Sequence, residues 1–235
     1  MKSTKSAPGP ARPERKAAPA PPAEAVAVSE DEKRGVQWGY VALLIVGVLI
    51  LGVSSVMAWS RSLTGWEHTV FSVINGVSLP HWVAEQVAKP LSNAVWGILG
   101  LIVILLLVPR YRARAWRYGV TAGSAYVLAA VIEHVIDRPR PAGITHDVIL
   151  RAAQGGPGFP SGHVAVLTAL CLAVWVLVSW PWRIALAVLI TAEAWARVYL
   201  GVHLPLDVIG AFGVGCIIVA VFHLTPARWR KLFRL

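Results

Sequence analysis

Charge is what this chain has least of. Only 14% of its 235 residues are Asp, Glu, Lys or Arg, against about a quarter in ordinary soluble domains. With 56% hydrophobic residues and a mean hydropathy of +0.61, the chain carries more apolar surface than one small core can hide. A water-soluble globule is thereby excluded and the bilayer becomes the expected solvent. Negative charge is scarcer still, 12 acidic against 22 basic residues. The basic residues lie in the two tails and one short loop, with no basic groove or aromatic platform, so nucleic acid is not an expected partner. Cysteine is nearly absent. Cys171 and Cys216 each sit inside an apolar run and read as small core residues, not as a disulfide or metal framework. The period-2 alternation of a membrane barrel is missing, as is any internal repeat.

What is present is a series of apolar runs behind a polar leader. Residues 1–34 are rich in Pro, Ala, Lys and Glu and poor in large apolar side chains. They read as a disordered cytoplasmic tail, without the pattern of a cleavable signal. Six runs follow: Gln37–Trp59, Ser92–Val108, Arg117–Ile136, Ser161–Trp180, Arg183–Leu200 and Asp207–Leu224. Each is near the ~20 residues that cross hydrocarbon as a helix. Trp38, Trp59, Trp180 and Trp182 flank them as interfacial anchors do. The expected fold is all-α, a six-helix membrane bundle over 35–225, with 226–235 a basic cytoplasmic tail. Lys33, Arg34, Arg110, Arg112, Arg114, Arg117, Arg183, Arg228, Arg230, Lys231 and Arg234 all fall on one side if both termini are cytoplasmic. The loop of 60–91 contains an apolar stretch, Val70–Val87, expected to lie along the interface as an amphipathic helix.

Three segments then share the opposite, extracytoplasmic level. Asp137-Arg-Pro-Arg-Pro141 follows the third run, Pro160-Ser-Gly-His163 opens the fourth, and Arg197 to Asp207 joins the fifth to the sixth. Ser161 and Gly162 at a helix start turn free N–H groups and the positive dipole end outward, which suits an anion; taken alone the same residues simply start a helix. His203 and Asp207 stand four apart, so that Asp207 could accept the Nδ1–H of His203 and leave Nε2 as a nucleophile. The plainer reading is a buried histidine satisfied by a local carboxylate. Arg140 and Arg197 suit a tetrahedral oxyanion, because guanidinium forks bind phosphate bidentately and stay charged. Glu133, His134 and Asp137 lie within about one helical turn but lack the ligand spacing of common metal sites, so no metal is expected.

These residues resemble the type 2 phosphatidic acid phosphatase family, which shares its site with vanadium haloperoxidases. The resemblance covers residues 37–224 and rests on three signatures. Of Lys, six residues, Arg-Pro, the chain has Arg140-Pro141. Pro-Ser-Gly-His is complete at Pro160–His163. Of Ser-Arg, five residues, His, three residues, Asp, it has Arg197, His203 and Asp207. Glu133 stands at the family Lys and Ala196 at the family Ser. Glu133 would either repel a dianionic substrate or pair with an arginine and orient it, and Arg138 could compensate for the lost cation. Glu193, one turn before Arg197, would serve as similar support or as a structural intramembrane pair.

The resemblance implies a lipid phosphatase of the plasma (inner) membrane. His203 would attack phosphorus and form a phosphohistidine, with Asp207 orienting it and His163 protonating the leaving oxygen. Arg140, Arg197, Ser161 and Gly162 would hold the phosphate oxygens, with no cofactor. The substrate would be a lipid phosphate or pyrophosphate, entering from the bilayer. A silent relative that binds or moves a phospholipid is the alternative, kept open by Glu133.

Overall fold

The computed structural model describes residues 30–225, with side chains from Arg34 onward. Most of the N-terminal tail and all of the basic C-terminal tail lie outside the described residues. Among these residues the chain is all-helical. Helix α1 runs Glu30–Trp59, so it starts inside the stretch expected to be disordered. Helix α2, Gly65–Asn75, is short and ends at Gly76. Helix α3, His81–Val83, passes through a π-helical turn, Ala84–Ala88, into α4, Lys89–Leu107. Helix α5, Arg112–Ile136, stops at Asp137 in the left-handed conformation, φ 48°. Helices α6 (Gly162–Trp175), α7 (Trp180–Tyr199) and α8 (Pro205–Leu224) complete the bundle.

Two expectations are corrected here. The interfacial helix does not run over Val70–Val87: it breaks between Asn75 and His81, where Gly76 caps α2 and Pro80 precedes α3. The second apolar helix starts at His81 rather than Ser92, because Pro90 does not end it. A proline inside a helix clashes with the carbonyl four residues earlier, here Gln86. The π turn over Ala84–Ala88 loosens the backbone at that carbonyl, and Lys89 N–H bonds Ala84 instead.

Among the described residues four stretches are long and apolar enough to cross a membrane: Arg34–Trp59, His81–Leu107, Arg112–Gly143 and Pro205–Leu224. Helix α6 is apolar but only 14 residues long, and α7 has spanning length but carries Arg183, Glu193 and Arg197. Helix α8 is enclosed along most of its length, packed chiefly on α1 and α6, while α1 and α3–α4 face outward. Trp38, Trp59, Trp180 and Trp182 are 64–69% exposed, as rings anchored at an interface should be.

Candidate active site

The site forms where the C-terminal end of α5, the loop after it, the start of α6 and the α7–α8 turn meet. Local backbone chemistry fixes each piece. Gly201 turns the chain after α7 with φ +75°, and a Cβ there would lie 2.8 Å from the Ile149 carbonyl oxygen. Only glycine accepts both constraints without strain. Pro205 then opens α8, and Asp207 in its first turn accepts the Leu204 N–H through Oδ2 at 2.8 Å. Gly158 approaches the same carboxylate so closely that a Cβ would stand 3.1 Å from Oδ2. The loop is tied down by Gly158 N–H to Arg138 O, 2.7 Å, and Ser161 N–H to Asp207 O, 3.0 Å.

His203 is 2% exposed at the centre of this arrangement. Its Nδ1 lies 2.9 Å from the Gly158 carbonyl oxygen and 3.4 Å from Asp207 Oδ2, so Gly158 is the nearer acceptor and Asp207 the second. Its Nε2 lies 3.2 Å from Arg140 Nη1. A carbonyl only accepts and a guanidinium only donates, so the proton is on Nδ1 and the lone pair on Nε2. Burial, with Arg197 and then Arg140 nearby, holds this imidazole well below its ordinary pKa, against the Gly158 hydrogen bond. A neutral ring with a buttressed Nδ1–H and an Nε2 lone pair that accepts only from Arg140 has the arrangement a nucleophilic histidine needs.

Arg140 is held by carbonyls: Nε donates to Gly155 O and Gly156 O, and Nη1 to Val202 O at 2.9 Å. Glu133 Oε1 stands 3.9 Å from Nη2, a loose ion pair. Of the alternatives for Glu133, it is therefore near an arginine without being that arginine's main support. Arg197 Nη1 donates to Ser92 Oγ at 2.5 Å, and its Nε has no partner among the described residues. Glu193 is fully buried one turn earlier, with neither carboxylate oxygen hydrogen-bonded among the same residues. Ser161 Oγ is likewise buried and unpartnered among them, an arrangement open to a ligand oxygen. His163, in the first turn of α6, packs edge-on against Trp96 at 5.4 Å.

Arg138 departs from expectation. It does not reach toward a substrate to replace the family lysine. It is completely buried, with Nη1 and Nη2 on Glu67 Oε1 and Oε2 at 2.9 and 2.7 Å and Nη1 on Asp207 Oδ1 at 3.1 Å. Left-handed Asp137 turns the chain so that Arg138 points inward and Arg140 toward His203. Glu67 on α2 was missed from sequence, as were Ser92, Trp96 and the Gly158 carbonyl. For Glu67 a signal existed: it shares one buried stripe of α2 with Phe71 and Asn75 at i, i+4 and i+8. An acid on the apolar face of an otherwise amphipathic helix needs a partner.

Residues 114–231 match the model of the PAP2 superfamily. The chain belongs to the PAP2 superfamily. It is thus a membrane PAP2-type lipid phosphatase, a hydrolase of phosphoric monoesters or diphosphates. It is 32% identical over 166 residues, 63% of this chain and 77% of the relative, to the protein named "Putative undecaprenyl-diphosphatase YbjG" of Escherichia coli (strain K12). It is 26% identical over 187 residues to the undecaprenyl-diphosphatase of Sulfolobus acidocaldarius, covering 75% and 86% of the two chains. The PAP2 fold is shared with two crystal structures at 21% identity. Aquifex aeolicus LpxE superposes with a TM-score of 0.56 over 69% of this chain and 97% of that one. The PAP2-type phosphatidylglycerolphosphate phosphatase of Bacillus subtilis superposes at 0.57, over 77% and 92%.

Proposed function

We propose that this PAP2 protein removes the terminal phosphate from a polyprenyl diphosphate, undecaprenyl diphosphate by the names of its relatives, through a phosphohistidine on His203. The observation that carries the reading is the fixed tautomer: Nδ1–H held by the Gly158 carbonyl, and the Nε2 lone pair facing Arg140. In the first step Nε2 bonds to phosphorus in line as the bond to the leaving oxygen breaks. His163 gives that oxygen its proton. Arg140, Arg197, Ser161 and the Gly162 backbone take the equatorial oxygens, displacing Arg140 from its contact with Nε2. Asp207 favours the resulting imidazolium. In the second step His163 takes a proton from water, which attacks phosphorus and frees His203.

In this reading residues 35–225 form the catalytic unit, the six helices α1 and α4–α8 cross the plasma membrane, and both tails are cytoplasmic. The arginines in the first turns of α5 and α7 favour that orientation. The site then faces the extracytoplasmic side, where the diphosphate head lies at the interface and the chain in lipid.

The test is phosphate release from undecaprenyl diphosphate, phosphatidic acid and phosphatidylglycerolphosphate in detergent with chelator, wild type beside His203→Ala. The expected result is chelator-resistant release, fastest on the diphosphate, and lost by about 10³-fold or more in the variant. Equal rates for the two proteins would overturn the role of His203. No release from any lipid by folded protein would overturn the activity.

A further inference from the structure

Arg138 poses a question of charge. It touches Asp207 but is completely buried away from any substrate. An arginine paired with Asp207 alone would neutralise the carboxylate that should favour a cationic His203. Glu67 changes this. It is also fully buried and takes both guanidinium ends, at 2.7 and 2.9 Å, against 3.1 Å for the single contact to Asp207. Glu67 Oε1 further accepts the Leu206 N–H at 3.2 Å. The buried group therefore holds two carboxylates and one guanidinium, with its uncompensated negative charge on the carboxylate 3.4 Å from His203. An uncompensated charge is costly to bury. It becomes an advantage at the moment a second positive charge appears beside it.

We propose that Glu67 is a positioning residue which, by occupying Arg138, leaves the negative charge of Asp207 available to stabilise the cationic form of His203 during phosphoryl transfer. This rests on the phosphohistidine reading above. With His203 neutral, the cluster of Glu67, Arg138, Asp207 and His203 carries one net negative charge. When Nε2 bonds phosphorus and the ring keeps its Nδ1 proton, the ring becomes positive and the cluster balances. That cluster is thus charge-matched to the intermediate and not to the resting enzyme, the condition under which a fixed environment accelerates a reaction, while Arg140 and Arg197 serve the phosphate oxygens. Arg138 also fixes the side-chain rotation of Asp207, so that Oδ2 remains for Leu204 N–H and His203. The carboxylate that sets this balance comes from α2, an element outside all three family signatures.

The test compares Glu67→Gln, Arg138→Gln and the double variant in full-length protein, on whichever lipid the wild type hydrolyses. Glutamine keeps the shape and the acceptor for Leu206 N–H but removes the charge. Glu67→Gln should lower kcat by about tenfold or more and leave KM within about twofold, because the phosphate ligands are untouched. The double variant restores one net negative charge, on Asp207, and should recover turnover above that of Glu67→Gln. A role confined to holding α2 in place predicts instead that the double variant is no better than its weaker parent, and that result would overturn the proposal. So would an unchanged kcat in Glu67→Gln. If Arg138→Gln and the double variant do not fold, the Glu67→Gln kcat and the rate of 32P-phosphoenzyme formation decide: a slowed formation supports the proposal, a normal one defeats it. The His203→Ala control separates the two readings. Wild-type turnover there sinks the phosphohistidine itself, whereas a dead His203→Ala beside a normal Glu67→Gln sinks only the role of Glu67.

Discussion

At the scale of single residues, Glu133 stands where the family signature carries a lysine. Arg140 takes its position from three backbone carbonyls and meets Glu133 only at 3.9 Å. Removing the carboxylate should therefore leave Arg140 in place and relieve repulsion of the substrate. Glu133→Lys is expected to lower KM on the order of tenfold, with kcat nearly unchanged in steady-state phosphate release. Collapse of turnover would mean that Glu133 orients Arg140 after all. His203 gives a second prediction. Its pKa is depressed by burial and by Arg197 and Arg140, so the ring stays neutral as pH falls below about 6.5, the ordinary imidazole value. It protonates only at its lower folded pKa, and nucleophilic capacity is retained until then. Arg140→Gln removes one cation and should move the acid limb of kcat/KM to higher pH, with substrate ionisation common to both profiles.

The matched residues were legible because their chemistry is carried by side-chain type at fixed spacing. Arg140, His163, His203 and Asp207 were found that way, and the structure brings Arg140, His203 and Asp207 together. Partners that act through backbone, such as Gly158 O, leave no such trace. Nor does a pairing like Glu67 with Arg138, 71 positions apart. Arg138 and Arg140 look equivalent in Asp-Arg-Pro-Arg-Pro, and only the left-handed turn at Asp137 separates their fates.

At the scale of elements, the site loops are stapled by α2. Asn75 Nδ2 donates to Ile149 O and Tyr199 O, and its Oδ1 accepts from Ile149 N–H. Arg151 donates to Asn75 O and Tyr199 O and lies over the Tyr199 ring at 4.2 Å. Gln154 donates to Gly201 O. The α7–α8 turn is thus clamped by two other segments. Gly201→Ala places a Cβ on the Ile149 carbonyl in a conformation L residues avoid, at a cost of about 1–3 kcal/mol. The expected outcome is a lower melting temperature in detergent and reduced turnover. Gly155→Ala, whose Cβ meets nothing within 4 Å, is the control and should melt with the wild type. Equal melting of the two would show that the clamp yields. Among elements, the long apolar helices were readable from hydropathy. The start of α3 was not, because Pro90 looks like a boundary until a π turn absorbs it.

At the scale of the whole molecule, much apolar surface is turned outward and the fully buried charged groups are gathered toward the end that holds the site. Val56, Leu107 and Leu177 are among the most exposed side chains, while Arg138, Glu67, Glu193 and Asp207 are fully buried. The interior stays mainly apolar, and the outward apolar surface is what a bilayer solvent requires.

Helix α8, the last of those described, is also the most enclosed. It brings Asp207 to the site and packs against α1, the first of the described helices. On the proposed mechanism, a chain that stops before α8 lacks both the carboxylate beside His203 and the wall that encloses it, and is expected to have no activity on the lipids around it. The order of translation then serves as a safeguard: activity is expected only once α8 has joined the helices made before it.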